Sequence, residues 1–323
     1  MLPSVWASPR VLPEKPAALA IGTMNFGKRT PADEAERIVL RAIERGHTYF
    51  DTANVYESGE SERILGRALG HRRPACLIAS KMGLYRRDGR AEGLRRETVV
   101  QACDESLDRL GTDYIDVYYL HVPDPKTPIE STLEGIQELF ESNKIRHFGI
   151  SNFASWQILE IKQACDRLGI PHPVMSQQIY NLLIRQLDIE YFKYAKRYPI
   201  HTTVYNALAG GLLARDHKKD EVPAGSRFDK NTLYQRRYWS DAMFEYVADL
   251  RKVAEAEGQT LASFAYSWLA HRPGVDSILL GPASVEQLDF AIDAVERTPS
   301  PEACEKVDVI HQAFTGTDAS YAR

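Results

Sequence analysis

The sequence predicts an α/β fold, a (β/α)8 TIM barrel in which eight parallel strands each lead into a helix. Eight short apolar runs follow one another along the 323 residues, and apolar residues at helical spacing follow each run. The runs are rich in Ile, Val, Leu and Tyr without clean polar alternation, which is typical of parallel strands covered on both faces. A barrel of about 250 residues with insertions uses the whole chain, so residues 1–323 are expected to form a single domain.

Cap residues indicate where the repeating units begin and end. Gly46, Gly70 and Gly111 are expected to end the first three helices, because glycine is favoured just beyond a helix C-terminus. Capping boxes at 127–130 and 284–287 are predicted to start the helices after the fourth and eighth strands. The predicted strands are residues 19–24, 49–54, 77–82, 114–121, 147–151, 174–180, 200–206 and 277–280.

Two segments interrupt the repeat. Residues 83–96 follow the third strand and are Arg-rich, and residues 208–241 follow the seventh. Both lie where barrels carry substrate loops. Residues 242–272 leave room for two helices before the eighth strand, so one of them is expected to lie outside the eightfold repeat.

Composition excludes several classes of protein. A net charge of −4 gives no basic field for nucleic acid. The four cysteines have neither disulfide-framework nor metal-ligand spacing, so we expect no metal site and a reducing, cytoplasmic location. No run of about 18 apolar residues and no secretory leader can be found, so neither membrane insertion nor secretion is expected.

Four polar residues lie at or just beyond three successive strand ends: Asp51, Tyr56, Lys81 and His121. Tyrosine is a poor general acid at neutral pH because its pKa is about 10, but a nearby ammonium lowers that pKa. A buried carboxylate can hold the ammonium, and a histidine can orient a carbonyl oxygen. The set suits proton delivery to an oxygen that is receiving a hydride. Each residue alone has an ordinary structural explanation, so the hypothesis depends on their joint occurrence.

Hydride chemistry requires a nicotinamide, yet the chain contains no G-x-G, which excludes a Rossmann fingerprint and a Walker A loop. Ser151, Asn152 and Gln178 offer groups that can bind a carboxamide, and Tyr205 offers a ring for stacking. Alternatively, Asn152 is the N-cap of a helix and Tyr205 packs in the core, and neither binds a cofactor. The glycines of 208–213 allow close approach of a pyrophosphate, and 281–287 precede a helix N-terminus suited to a ribose phosphate.

Several motifs together resemble the aldo-keto reductase superfamily over nearly the whole chain. They are Gly-Thr-Met at 22–24, Phe-Asp-Thr-Ala at 50–53 with Tyr56, the segment 59–65, Lys81, Tyr-Leu-His at 119–121, Gly-Ile-Ser-Asn at 149–152, and Gln178 with Tyr180 and Asn181. The segments 121–128, 205–213 and 225–228, Tyr238-Trp239 and the C-terminal Tyr-Ala-Arg are most similar to the aflatoxin aldehyde reductase (succinic semialdehyde reductase) branch.

The resemblance implies a catalytic tetrad of Asp51, Tyr56, Lys81 and His121, with Tyr56 as the general acid in carbonyl reduction. It also implies NADPH, with the 2′-phosphate at the start of the last repeat helix. The chain departs from that branch at Ala283, where serine is usual, and at Ala291, where asparagine is common, which leaves the preference for NADPH over NADH open. The implied cofactor contacts are Gly22, Thr23, Met24, Asp51, Ser151, Asn152, Gln178, Tyr205, Asn206, Leu208, Gly210, Leu212, Gly281, Ala283, Ser284 and Gln287.

Substrate recognition has two possible explanations. Arg237 and Arg323 match positions that hold a substrate carboxylate in that branch, and Tyr56 and His121 would face the carbonyl. Alternatively, Tyr234, with the neighbouring Tyr238 and Trp239, forms an apolar wall for a bulky substrate.

Alternative functions remain at this stage. One is a non-catalytic nucleotide-binding barrel that acts as a regulatory partner, like the potassium-channel β subunits of the same superfamily. A weaker one is an aldolase with Lys81 as a Schiff base. A homodimer is possible in either case.

Overall fold

The computed structural model describes residues 18–87 and 89–316 and has the predicted fold. All eight predicted strands are confirmed. Their bounds are β1 Ala18–Gly22, β2 Tyr49–Asp51, β3 Leu77–Met82, β6 Ile115–Leu120, β7 Ile145–Ser151, β8 Met175–Ile179, β9 His201–Tyr205 and β10 Ser277–Leu280. These parallel strands close a barrel in the order β1-β10-β9-β8-β7-β6-β3-β2.

Helices surround the barrel, and between them they bury an apolar layer against the outer faces of the strands. The helices are α1 Ala32–Glu44, α2 Glu60–Leu69, α3 Arg96–Leu110, α4 Ile129–Glu141, α5 Ser155–Leu168, α6 Tyr191–Arg197, α7 Thr232–Tyr238, α8 Asp241–Ala256, α9 Leu261–Ala270, α10 Val285–Val295 and α11 Pro301–Thr315. The predicted pair of helices before the last strand is confirmed as α8 and α9. A further helix, α11, follows the repeat and packs against α8. No helix of the described ranges is long and apolar enough to cross a membrane.

The two predicted insertions carry structure of their own. The first contains a short antiparallel hairpin, β4 (Arg86–Arg87) with β5 (Arg90–Ala91), and the second contains α7. Both follow strands at the carboxyl end of the barrel, as the sequence predicts.

The inside of the barrel is filled by a small cluster that includes Tyr49, Val117, Tyr119 and Met175. The hydroxyl groups of Tyr49 and Tyr119 both lie against the sulfur of Met175, at 3.8 and 3.4 Å. These side chains therefore fill this part of the described barrel interior.

One of the predicted capping boxes is wrong. The N-cap of α4 is Pro128, which provides no side-chain cap, and the Thr127 hydroxyl donates to Asp124 at 2.7 Å instead. At α10, Ser284 is the N-cap and accepts from the Gln287 N–H, as predicted. The Gln287 side chain, however, accepts from the N–H of Ala283 instead of the cap residue itself.

Candidate active site

A buried ion pair lies at the carboxyl end of the barrel. Asp51 ends β2, Lys81 lies near the end of the neighbouring β3, and both side chains are fully buried. The Lys81 ammonium donates to the Asp51 carboxylate and, at 2.8 Å, to the carbonyl oxygen of Thr52. Gln177 of β8 donates its amide N–H to the second carboxylate oxygen at 2.9 Å. The carboxylate is therefore held from both sides of the barrel.

Lys81 stays protonated in this position. Burial lowers its pKa, but the charge of Asp51 and the hydroxyl of Tyr56 outweigh burial, so the pKa of Lys81 is raised overall. An uncompensated buried ammonium would be shifted the opposite way. The pair supplies a fixed positive charge inside the barrel.

Tyr56 lies beside this charge on the 3-10 turn Tyr56–Gly59 that follows β2. The Lys81 Nζ is 5.2 Å from the centroid of its ring, and the ring is half-buried. Burial raises the pKa of Tyr56 and Lys81 lowers it, and the resulting pKa is above the ordinary value of tyrosine. Lys81 therefore lowers the pKa of Tyr56 as the sequence predicts, but burial has the larger effect.

His121 follows β6 and faces Tyr56, with 6.1 Å between the ring centroids and an 82° angle between the ring planes. Burial, and secondarily Lys81, lowers the pKa of His121 to about 3, so the imidazole is neutral at physiological pH. Its Nδ1 has no hydrogen-bond partner among the described residues. A neutral imidazole can donate one hydrogen bond without adding charge to the site.

Asn152 ties three strand ends together beside His121. Its backbone is left-handed (φ 64°), and its amide donates to the His121 carbonyl oxygen at 3.0 Å and to the Ser151 hydroxyl at 3.1 Å. The Tyr205 hydroxyl donates to the Asn152 carbonyl oxygen at 2.7 Å. The alternative that Asn152 caps a helix is wrong, because α5 begins after Ala154.

Two adjacent glutamines of β8, Gln177 and Gln178, point to opposite faces of the strand. Gln178 donates its amide to the Phe153 carbonyl and to the Ser176 hydroxyl, so it does not face Asp51. Successive residues of a strand point to opposite faces, so Gln177 lies on the same face of β8 as Met175. That face points into the barrel. Sequence reasoning missed Gln177 because the two glutamines are adjacent and only the strand register distinguishes them.

The remaining predicted cofactor residues form an arc from β1 to β10. Gly22 allows close approach of β10, since a Cβ there would lie 2.9 Å from the Leu280 carbonyl oxygen. Gly210 (φ 71°) lies under the Tyr234 ring, and Asn206 accepts from the Gly210 N–H at 2.7 Å. Leu212 is buried in the apolar layer. Exposed or half-buried positions on the same arc are Met24, Leu208, Gly281, Ala283, Ser284 and Gln287, whereas Thr23 is buried.

Sequence reasoning missed three arginines on this arc, which are Arg29, Arg215 and Arg227. Arg29 donates to the Gly225 carbonyl at 3.1 Å, and Arg227 approaches the Asn25 side chain at 3.4 Å. Burial, followed by the charges of Arg227 and Arg215, lowers the pKa of Arg29. Within the described ranges none of the three forms an ion pair with a carboxylate. Such a cluster of like charges favours a bound anion.

Of the predicted substrate residues, Arg237 is exposed and lies 5.8 Å from the Tyr234 ring and 6.0 Å from the Tyr238 ring.

Tyr238 is fully buried and its hydroxyl accepts from the Asn206 amide at 2.6 Å, so Tyr238 cannot form part of an exposed aromatic wall. The Trp239 ring packs on Phe228 at 4.8 Å. Arg323 lies outside the described residues.

Comparison with known proteins identifies the class of barrel. Residues 18–312 match the profile of the Aldo/keto reductase family. The human "Aflatoxin B1 aldehyde reductase member 2" is 34% identical over 320 residues, which cover 94% of this chain and 88% of the relative. The human "Aldo-keto reductase family 7 member A3" is 33% identical over 313 residues, covering 92% and 93%. A "Probable voltage-gated potassium channel subunit beta" of Arabidopsis thaliana is 31% identical over 316 residues, covering 95% and 96%. The chain belongs to the aldo/keto reductase family.

The depressed pKa of His121 can be tested by nuclear magnetic resonance. Because the ring stays neutral down to about pH 3, its signals should not move between about pH 5 and 8, where an ordinary histidine changes its charge. The variant His121→Asn assigns the signals. A titration of the His121 ring in that range would show that the imidazole is solvated instead of buried.

Proposed function

We propose that this protein reduces an aldehyde or an activated ketone to an alcohol with NADPH, and that Tyr56 is the general acid. The observation that carries the proposal is the buried Asp51–Lys81 pair beside Tyr56 and the neutral His121 at one barrel end. The family and the aldehyde reductase names of its relatives support the same reaction class.

The residues present fit a phosphate-bearing nicotinamide cofactor. Arg29, Arg215 and Arg227 offer positive charge without carboxylate partners in the described part of the chain, which suits phosphates. Tyr205 offers a half-buried ring, and Ser151 and Asn152 offer hydroxyl and amide groups for a carboxamide. When bound, the cofactor would supply the hydride. The start of α10, at Ser284, would hold the 2′-phosphate, although Ala283 contributes no hydroxyl group there.

The protein's own groups would prepare the carbonyl and deliver the proton. His121 would donate a hydrogen bond to the carbonyl oxygen, and its neutrality avoids repulsion with Lys81. Tyr56 would transfer its hydroxyl proton to the same oxygen as negative charge develops there. Lys81 would stabilise the resulting phenolate, and Asp51 would keep the ammonium in place.

The same geometry argues against the aldolase alternative. A Schiff base requires a neutral lysine amine, whereas the Lys81 ammonium is bound by Asp51 and the Thr52 carbonyl and its pKa is raised. A regulatory subunit remains the second candidate, because the chain is also similar to potassium channel β subunits. The presence of all four tetrad residues favours the enzyme.

We also propose a cytoplasmic location, which four free thiols support, and a carbonyl compound as the partner of the site. A homodimer remains a prediction that rests on sequence alone.

The decisive variant is Tyr56→Phe, assayed by the loss of NADPH absorbance with an activated aldehyde such as a nitrobenzaldehyde. Turnover should fall by about 10²–10⁴-fold, the usual worth of general acid catalysis, because the proton donor is removed. NADPH binding, measured by fluorescence titration, should be nearly unchanged.

Two outcomes would contradict this proposal in different ways. Turnover within about tenfold of wild type would remove Tyr56 from the role of acid, since that loss is smaller than general acid catalysis provides. Wild-type protein that binds NADPH but oxidises none of it would favour the regulatory subunit.

Substrate charge can be tested at Arg237. We propose that Arg237 and Arg323 bind a carboxylate on the far side of the carbonyl, since the guanidinium fork suits carboxylates. The variant Arg237→Ala should raise KM for a carboxylated aldehyde by about tenfold or more, because a charge-assisted hydrogen bond contributes about 1.5–3 kcal/mol. KM for a neutral aldehyde should hardly change.

The exposed Arg236 next to it provides a matched control, since Arg236→Ala removes the same charge from the loop. Equal KM changes for charged and neutral aldehydes in Arg237→Ala would disprove the clamp.

A further inference from the structure

The turn that carries Tyr56 has an unfavourable backbone. Glu57 (φ 45°, ψ 43°), Ser58 (φ 55°, ψ 38°) and Gly59 (φ 88°) are three consecutive left-handed residues, two of which are not glycine. Left-handed backbone is disfavoured for residues with a Cβ and persists only where the surroundings impose it. Contacts at the two ends of this turn must therefore hold it.

Ser61 holds the two ends together. It is fully buried in the first turn of α2, and its hydroxyl lies 3.1 Å from the Thr52 hydroxyl at the end of β2. The Ser61 hydroxyl also lies 2.7 Å from the Thr23 hydroxyl and donates to the Thr23 carbonyl at 2.8 Å. Ser61 thus connects the start of α2 to the ends of β1 and β2.

These contacts lead directly to the charged pair. The Thr23 N–H donates to the Asp51 carbonyl at 2.9 Å, and the Thr52 carbonyl accepts from Lys81 at 2.8 Å. Ser61 therefore contacts both residues that anchor Asp51 and Lys81 through the backbone. The hydrogen bonds of its hydroxyl in the described residues go to Thr23 and Thr52 and not to a tetrad side chain.

Glu62 makes the corresponding contact to β3. Its carboxylate is fully buried, accepts from the Ser80 hydroxyl, and accepts from Arg109 at 2.6 Å. Ser80 immediately precedes Lys81 on the strand. Arg109 passes so close to Gly59 that a Cβ there would lie 2.5 Å from the arginine side chain. The Glu62–Arg109 pair therefore supports both Lys81 and the left-handed turn.

We propose that Ser61 and Glu62 are positioning residues, which hold from outside the barrel the strand ends of Asp51 and Lys81 and the turn of Tyr56. This inference rests on the proposed function, because the geometry they maintain is that of the general acid and its ammonium. Without Ser61, Thr52 and the turn are free to move apart, and the influence of Lys81 on Tyr56 weakens.

The test variant is Ser61→Ala, and Ser267→Ala is its matched control. Both serines are fully buried in helices, but the Ser267 hydroxyl donates within its own helix, to the Phe264 carbonyl at 3.1 Å. Helix α9, which carries Ser267, packs on α10 and β10. A purely structural role predicts similar effects of the two substitutions.

Kinetics separate positioning from stability. In Ser61→Ala we expect kcat to fall by about tenfold and the Kd for NADPH to stay unchanged. The expected loss is smaller than the roughly 10²-fold that a displacement of the reacting groups by 1 Å can cost. The pH profile should also move. Lys81 lowers the pKa of Tyr56, so a looser contact raises it, and the alkaline fall of carbonyl reduction shifts to higher pH. In Ser267→Ala, kcat and the profile should match wild type.

Hydrogen exchange tests the same inference without any activity. The Ser58 N–H donates to the Val55 carbonyl at 3.3 Å, so exchange at Ser58 reports on the turn. Exchange at Ser58 should be faster in Ser61→Ala and unchanged in Ser267→Ala. If Ser61→Ala folds poorly, Thr52→Val removes the other hydroxyl of the same contact with little change of shape and should give the same result.

Either of two results would overturn the inference. Unchanged Ser58 exchange in both Ser61→Ala and Thr52→Val would show that Ser61 does not hold the turn. Equal loss of kcat in Ser61→Ala and Ser267→Ala, with no shift of the pH profile, would show a structural role only. A wild-type protein without reductase activity would refute the proposed function, while the exchange result would still decide whether Ser61 holds the turn.

Discussion

The fully buried ammonium of Lys81 is the constraint on which the site depends. An ammonium cannot remain charged in a barrel interior without a countercharge, and removal of one partner of a buried pair costs about 3–5 kcal/mol. Asp51 supplies that countercharge from the adjacent strand, and Gln177 holds the carboxylate from across the barrel. Strand order, register and interior packing must all be correct for these three side chains to meet.

The pair also determines the properties of its neighbours. His121 is neutral because burial and the nearby positive charge both disfavour an imidazolium. Tyr56 is affected in opposite directions by burial and by Lys81, so its acidity depends on how closely the turn 56–59 holds it. The proposed binding groups for a cofactor lie farther along the rim, where Asn152 joins the ends of β6, β7 and β9.

Sequence reasoning located the strand ends, and with them Asp51, Lys81 and His121, because apolar runs and the barrel rule determine both position and direction. It selected Gln178 for the cofactor and missed Gln177, which holds Asp51, since a shift of one residue along a strand reverses the face. It missed Arg29 and Arg227, which lie on irregular loops that only the tertiary fold brings together. It also predicted a cap at Thr127, where a local hydrogen bond to Asp124 was the stronger competitor. The net direction of the Tyr56 pKa depends on burial, which has no local sequence signal.

A double-mutant cycle of Lys81 and Tyr56 tests most directly whether Lys81 acts through Tyr56. Turnover would be measured for Tyr56→Phe, Lys81→Met and the double variant, with NADPH binding as the check on folding. Residues that act as a unit are not additive, so the double variant should be about as slow as the slower single variant. A double variant slowed by the product of the two single factors would show that Lys81 and Tyr56 act independently.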